Sequence, residues 1–418
     1  MTAPGRALDT RFRRLVAATA ASDLADGVSR TALPLAAAAY TRDPLLISGL
    51  ATFAFLPWLL FALPAGALVD RTDRRRAMAV ANATRTLATL ALALLVVCGA
   101  GGIAALYAVA FVLGLAETVY DSAVRALLPQ LVRRDQLDRA NSVLTVSETL
   151  GQTFLGAPLG SALFAVAVAL PFWFNSAGFL LAVVLITSLR GTFRPTRGEP
   201  ASVRADVAEG VRWLHRHALL RGLTLVSGAT CFAQSMTTGV FVLYVLEVVH
   251  LPASDYGFVL LAAGAGALLG GVVTPVAARR LGRTVVLTGG ALLSGATLAA
   301  MAFTSHGVLA ATLFALQSVG VMTWNVLTMS LRQALIPEAL FGRVQGAYRT
   351  VVWGSIPLGS LAGGALAHWI GVRWVFAVAG GVLVVMAVLL GRLLRNHAAT
   401  VAAATIVSEG SELAAAAR

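Results

Sequence analysis

The sequence predicts an all-α membrane protein whose twelve transmembrane helices form two pseudo-symmetric six-helix bundles. Composition gives the first indication: 58% of the residues are hydrophobic and 12% are charged, whereas soluble domains carry about 25% charge. The second indication is a series of long apolar runs separated by short polar breaks. The third is the recurrence of short motifs 208 residues apart.

The helices follow from the apolar runs, because a helix needs about 20 apolar residues to cross the hydrocarbon core of a bilayer. Twelve runs meet this requirement. The runs of the first half are 15–40, 46–69, 77–99, 103–124, 142–168 and 170–189. The runs of the second half are 222–246, 255–278, 285–304, 308–331, 347–369 and 373–394.

Polar stretches predict the domain organisation. We expect an N-terminal bundle, a cytoplasmic linker, a C-terminal bundle and a disordered cytoplasmic tail, at residues 1–190, 191–218, 219–396 and 397–418. Apolar side chains recur at helical spacing within the linker, at Val203, Val207, Val211 and Leu214. The linker is therefore either an amphipathic helix on the inner membrane surface or a simple tether.

The placement of arginine predicts the orientation in the membrane. All 32 basic residues are arginines, and eleven of them lie in short loops on the side of the N-terminus. Only Arg42 and Arg373 lie in the opposite loops. Because basic loops face the cytoplasm, we expect a multi-pass protein of the cell membrane with both termini cytoplasmic. The net charge of +13 is spread over helix ends, so nucleic acid is not an expected partner.

Repeated motifs predict that the two bundles arose by duplication. The stretch Ala126–Pro129 matches Ala334–Pro337 at an offset of 208, and Pro158–Ser161 matches Pro357–Ser360 at an offset of 199. Many secondary transporters are built from such repeats, and their substrate site lies near mid-membrane between the halves.

Ionisable residues inside the spans are the candidates for proton coupling, because a charge in the bilayer interior is costly. Asp23, Asp26 and Arg30 lie on one face of the first span, since residues three and four apart are neighbours on a helix. Glu117 and Asp121 are four apart in the fourth span. By depth, Asp26 and Glu117 are the leading candidates and Asp23 is the third. The alternative is an Asp26–Arg30 bridge that only neutralises two charges.

The second half carries amides where the first half carries acids. At the offset of 208, Asp26 corresponds to Gln234 and Glu117 to Asn325. We therefore expect the first half to handle protons and the second half to offer hydrogen bonds to substrate. Trp324 lies mid-span beside Asn325, so Gln234, Trp324 and Asn325 are the predicted residues of a substrate cavity.

The hairpin between the second and third spans carries the most specific motif. Its pattern is Gly66-x-Leu68-x-Asp70-Arg71-x-Asp73-Arg74-Arg75. This pattern resembles the loop 2–3 signature of the major facilitator superfamily, and the resemblance extends over both halves. Asp73 stands where that signature has glycine, and the second-half copy at 279–283 lacks the first aspartate.

The resemblance implies the major facilitator fold with a gate at the cytoplasmic side. The gate residues would be Gly66, Asp70, Arg71, Arg74 and Asp121. In the family a fourth-helix acid contacts the hairpin arginine, so Asp121 is expected to contact Arg74. Asp70 is expected at the N-terminal end of the eleventh helix, where the helix dipole favours an anion.

Other stretches are most similar to the branch that holds macrolide-efflux and siderophore-exporter proteins: Ala126–Asn141, Pro337–Gly346 and Glu209–Trp213. The segment 156–160 also resembles the fifth-helix antiporter signature Gly-Pro-x-x-Gly, with Ala157 in place of the glycine before proline. Its motif positions are Gly156, Pro158 and Gly160. In the family this motif accompanies export.

These observations predict a proton-coupled secondary transporter that exports small amphipathic organic molecules, such as an antibiotic, a secondary metabolite or a siderophore, by alternating access. The alternatives are an importer or uniporter of a polar nutrient, and a non-transporting membrane sensor. The spans contain no motif of an intramembrane enzyme, so we expect no enzyme, no cofactor and no metal site. The expected partners are a small-molecule substrate, protons and the lipid bilayer, and the expected state is a monomer.

Overall fold

The computed structural model of the protein describes residues 10–69, 71–133, 136–189, 191, 193 and 203–398. The described residues form helices and contain no strand. The helices of the first half are α1 Thr10–Tyr40, α2 Pro44–Val69, α3 Arg74–Val97, α4 Ile103–Leu131, α5 Leu137–Thr149, α6 Ala157–Val166 and α7 Leu170–Thr187. Those that follow are α8 Val203–Arg216, α9 Ala218–Leu243, α10 Tyr256–Leu281, α11 Arg283–Met301, α12 Gly307–Leu335, α13 Glu338–Ile370 and α14 Val372–Asn396.

Eleven helical stretches in the described residues are long and apolar enough to cross a membrane. The predicted all-α membrane fold is therefore confirmed. The first predicted span is α1, which has 31 residues, enough to cross the bilayer. Two acidic side chains, Asp23 and Asp26, are among its buried residues.

The fifth span is one continuous stretch with an irregular middle. Helices α5 and α6 are joined by a π-helical segment, Leu150–Gly156, so the span runs from Leu137 to Val166. Pro158 is the second residue of α6, and it cannot donate a backbone hydrogen bond to the preceding turn. Wide π turns are rare, and they occur most often at functional sites.

The chain divides into two compact units. Unit 1 comprises Met1–Gly198 and Leu251–Leu261, and unit 2 comprises Glu199–His250 and Ala262–Arg418. One core of unit 1 is a set of apolar residues contributed mainly by α1, α3, α4 and α7, among them Phe12, Met78, Leu127 and Ile186. A core of unit 2 joins α8, α9 and α11–α14, with Leu214, Leu223, Leu287, Leu331 and Leu390 among its members.

Helix α8 of the predicted linker packs against α13 inside unit 2. Gly210 lies against the backbone of Arg343, and Leu214 is buried in the core of the unit. Glu209 Oε2 and Arg343 Nη1 form an ion pair at 2.5 Å. Residues Val203–Arg216 of the linker are helical, and a protein surface covers part of this helix. The side chains of Val203 and Val207 lie outside the described residues.

Candidate functional site

A buried ion pair joins α1 to α3 in unit 1. Asp26 Oδ2 lies 3.2 Å from Arg85 Nη1, and the exposed side-chain fractions are 11% and 0%. The alternative of an Asp26–Arg30 bridge is therefore not what the structure shows. Arg30 follows Asp26 by one helical turn, but a guanidinium on the neighbouring helix supplies the charge partner instead. Asp26 is therefore a paired carboxylate that links two helices.

Arg85 is enclosed by polar and aromatic groups. Its Nη1 also donates to Ser22 Oγ at 3.1 Å and to Asn82 Oδ1 at 3.4 Å. The guanidinium carbon lies 5.2 Å from the ring centre of Tyr120 and 5.3 Å from that of Phe179. Such cation–π contacts stabilise a desolvated guanidinium by about 2 kcal/mol. The environment therefore holds a charged arginine in place inside the helical bundle.

A second ion pair links α1 to α4. Arg30 Nη2 donates to Glu117 Oε1 at 2.9 Å, and the exposed side-chain fractions are 59% and 21%. This pair is more open than the Asp26–Arg85 pair. Two of the three predicted coupling carboxylates thus have an arginine partner, each on a different helix.

Asp23 is the third predicted coupling carboxylate, and it is only 9% exposed. Gln152 Nε2, in the π-helical segment, lies 3.5 Å from Asp23 Oδ1, beyond the usual range of about 2.7–3.2 Å for an N–H···O hydrogen bond. Gly151 packs against the Asp23 side chain. Within the described residues Asp23 has no ion pair, and neither does the half-buried Asp121. Asp23 is therefore the most buried carboxylate without a cation.

The predicted gate residues are only partly brought together. Asp70 lies outside the described residues. Arg71 is exposed in the turn after α2, and Gly66 has open space around it. Arg74 Nη1 donates to the carbonyl oxygen of Ala126 at 2.8 Å, so the expected contact with Asp121 was wrong. Asp121 lies on α4 five residues before Ala126, which is about 7.5 Å along the helix axis. Arg74 is the first residue of α3, and its side chain meets α4 at Ala126 instead.

Asp73, where the family signature has glycine, fixes the hairpin in two directions. Its Oδ1 accepts the backbone N–H of Arg76 at 3.1 Å and thereby caps α3. Its Oδ2 accepts the backbone N–H of Phe193 at 3.1 Å, and Arg75 Nη1 donates to the Leu189 carbonyl at 2.6 Å. The hairpin thus holds the chain that follows α7. Partial burial tends to raise the pKa of Asp73, but the hydrogen bonds from Phe193 and Arg76 and the charge of Arg75 outweigh it and lower the pKa.

Replacing Asp73 is expected to weaken this anchor in a pH-dependent way. Asp73→Ala should destabilise the protein by about 0.5–2 kcal/mol through loss of the cap. Because the pKa of the folded state is lowered, the stabilisation is complete above the unfolded pKa and is lost as the pH falls through the folded pKa. Thermal unfolding of the wild type, Asp73→Ala and Asp73→Asn between pH 7 and pH 3 measures both effects. Asp73→Asn keeps one accepting oxygen and loses the other, so it should be destabilised less than Asp73→Ala and should lose the pH dependence; identical pH profiles for wild type and Asp73→Asn would contradict this.

The antiporter-like motif packs directly against α1. A Cβ atom on Gly156 would lie 2.7 Å from the Cα of Gly27, and one on Gly160 would lie 2.9 Å from the carbonyl oxygen of Val28. Pro158 lies in the first turn of α6 between these two contacts. The motif therefore lies beside the segment of α1 that follows Asp26.

In unit 2, two of the three predicted substrate residues share a small cavity. Gln234 and Trp324 line a space of about 10 Å³, with Thr230 and Ser294 among the other polar contributors. This volume holds about one water molecule. Asn325 is exposed and lies outside the cavity.

Sequence reasoning missed the residues that complete the cluster in unit 1. Arg85, Asn82 and Gln152 were not singled out, although Arg85 is an arginine inside the apolar run 77–99. A charge at such a position is a functional candidate by default, so its position alone was a sufficient signal. Asn82 and Gln152 gave no comparable signal.

Proteins similar in sequence match most of the chain. The sequence model described as Major Facilitator Superfamily matches residues 15–356. An uncharacterised MFS-type transporter of Mycobacterium tuberculosis is 32% identical over 317 residues, which cover 69% of each chain. The multidrug efflux pump Tap of Mycolicibacterium fortuitum is 27% identical over 363 residues, which cover 84% of this chain and 88% of the relative.

Solved structures share the architecture at low sequence identity. The nucleoside transporter NupG superposes with a TM-score of 0.76 at 12% identity, covering 92% of this chain and 99% of that one. The inward-facing structure of a bacterial homologue of the iron transporter ferroportin gives a TM-score of 0.74 at 18% identity, covering 93% and 99%. At these identities the likeness extends to the fold alone.

Proposed function

The chain belongs to the major facilitator superfamily, and on this premise we propose that it is a proton-coupled exporter of small amphipathic organic molecules, cationic ones in particular. Its relatives are named transporters, so the protein is a multi-pass membrane transporter and not an enzyme. The similarity to a protein named a multidrug efflux pump supports export and the breadth of the proposed substrate class.

The observation that carries the proposal is the unequal pairing of three buried or half-buried acids. Asp26 and Glu117 each have an arginine partner, whereas Asp23 has only the distant amide of Gln152. A carboxylate charge buried without a cation is strongly unfavourable. A proton or the positive charge of a substrate would supply the missing compensation at Asp23. We therefore place Asp23 ahead of Asp26 and Glu117 as the residue that exchanges a proton for substrate.

The rest of the transport cycle is proposed by analogy with the family. Alternating access would move the two halves around a substrate site, to which Gln234, Trp324 and Asn325 contribute. The hairpin residues Gly66, Asp70, Arg71 and Arg74 would form the cytoplasmic gate, with Arg74 held by the Ala126 carbonyl oxygen and not by Asp121. Both termini would be cytoplasmic and the working unit a monomer. The packing of Gly156, Pro158 and Gly160 on α1 would keep the fifth helix aligned with the acidic residues.

Asp23→Asn is expected to abolish proton-driven export while the protein stays folded in the membrane. The amide cannot take up a proton, so an imposed pH gradient no longer drives substrate out. Efflux of ethidium and the accompanying proton flux are measured in energised everted vesicles. Asp43→Asn, in the loop after α1, is the matched control and should behave as wild type.

Two outcomes would count against this proposal. Wild-type ethidium transport by Asp23→Asn would remove Asp23 as the coupling residue. Uptake instead of export by the wild type, with a polar nutrient preferred over ethidium, would favour an importer. Asp26→Asn and Glu117→Gln are expected to impair transport as well, because each removes one of the two ion pairs that link α1 to its neighbouring helices.

A further inference from the structure

Arg85 uses only one of its three nitrogen atoms. Nη1 makes every hydrogen bond of the guanidinium, to Asp26, Ser22 and Asn82. Nε and Nη2 are buried, and neither has a hydrogen-bond partner among the described residues. These two atoms form one edge of the guanidinium, with parallel N–H groups that match the two oxygens of a carboxylate. A fully buried arginine therefore presents an empty carboxylate-binding edge.

The same unit holds a buried carboxylate without a cation. Asp23 precedes Asp26 by three residues, so both side chains leave the same face of α1. Asp23 is not engaged in an ion pair within the described chain, and its single hydrogen bond, from Gln152, is long. The other acids near Arg85 are less suitable, because Glu117 is paired with Arg30 and Asp121 is only half-buried.

The surroundings of Arg85 favour exchange between the two acids. Tyr120 and Phe179 hold the guanidinium through their rings, which fixes its position without using its N–H groups. The Tyr120 hydroxyl and Asn82 Nδ2 are also buried without partners in the described structure. Buried polar groups are normally satisfied, so these groups are available as partners in a second arrangement of the cluster.

We propose that Arg85 is a shared counter-ion, which pairs with Asp26 through Nη1 and with Asp23 through Nε and Nη2 when Asp26 is uncharged. This assignment rests on the proposed function for its role in transport, where the proton released by Asp23 would neutralise Asp26. The exchange draws Asp23 towards α3 and away from Gln152. The charge state of α1 is thereby communicated to the π-helical segment of the fifth span. Arg85 acts in this scheme as a positioning residue.

A double-mutant comparison of thermal stability tests the exchange without any transport measurement. The full-length protein is purified in nanodiscs as wild type, Asp23→Asn, Asp26→Asn and the double variant, and Tm is measured. If Asp23 replaces the lost partner, Asp26→Asn lowers Tm only slightly. The double variant leaves Arg85 with no carboxylate and should lower Tm by about 6 °C or more, well beyond the sum of the single changes.

The opposite outcome is equally clear. If Asp26 alone serves Arg85, Asp26→Asn already shows the full loss of Tm and the second change adds nothing, which overturns the proposal. A triple variant with Arg85→Met removes the stranded charge and should recover most of the Tm lost by the double variant; failure to recover also overturns it. The combination Asp26→Asn with Asp138→Asn, an exposed acid in the first turn of α5, is the control and should be additive. A protein that transports nothing can still pass this test, so the two proposals fail separately.

Discussion

Arg85→Met is expected to destabilise the protein by about 3–5 kcal/mol, the usual effect of removing one partner from a buried ion pair. Asp26 would remain in a site where its side chain is 11% exposed, with no cation within reach on α3. The methionine also gives up the cation–π contacts with Tyr120 and Phe179. A large fall in Tm, together with loss of ethidium efflux, is the expected measurement.

The paired variant separates charge from packing. Asp26→Leu combined with Arg85→Met replaces both charges by apolar groups of similar size, which is often neutral or stabilising in a protein interior. We expect the double variant to regain most of the stability lost by Arg85→Met and to remain inactive in transport. Equal Tm values for Arg85→Met and the wild type would show that the pair does not stabilise the fold.

Gly156→Ala is expected to destabilise the contact between the fifth span and α1 by about 1–3 kcal/mol, as overpacking does. The added Cβ would lie 2.7 Å from the Cα of Gly27, and 2.6 Å from the Gly151 carbonyl oxygen, so backbone atoms would have to move. A main chain cannot rotate away as a flexible side chain can. A lower Tm and reduced efflux are the expected readouts.

Gly66→Ala is the matched control for that substitution. Both glycines belong to sequence motifs and both are helical, but a Cβ on Gly66 meets nothing within 4 Å. Alanine is the better helix former by about 1 kcal/mol, so Gly66→Ala should leave Tm unchanged or raise it. If Gly66→Ala and Gly156→Ala lowered Tm equally, close packing would not explain the effect at Gly156.

The membrane spans and the linker helix could be predicted from the sequence because they depend on composition and on the spacing of apolar side chains. The twelve apolar runs and the helix of the linker need only the length of a membrane span and the spacing of apolar side chains. The π-helical segment could not be foreseen, since Leu150–Gly156 differs little in composition from neighbouring helical stretches.

The acidic residues of the candidate site could be predicted from the sequence, but the arginines that pair with them could not. The acids stood out as charges in apolar spans, whereas pairing depends on which helices become neighbours. Arg30 was within one turn of Asp26 in sequence, yet it pairs with Glu117 on another helix. Arg74 shows the same limit. The position at which α3 begins determines where its side chain can reach, and its guanidinium contacts a backbone carbonyl of α4. Local spacing therefore identifies a charged face and leaves its partners undetermined.

The π-helical segment gives the two ends of the fifth span independent rotational phases. A wide turn holds about one residue more than an α-helical turn, and one residue corresponds to about 100° of rotation. Within this span Gln152 of the π-helical segment lies beside Asp23, and Gly160 of α6 lies beside Val28. Without it, a regular helix could align only one of these contacts. The π-helical segment therefore changes the rotation of α6 about the helix axis relative to α5.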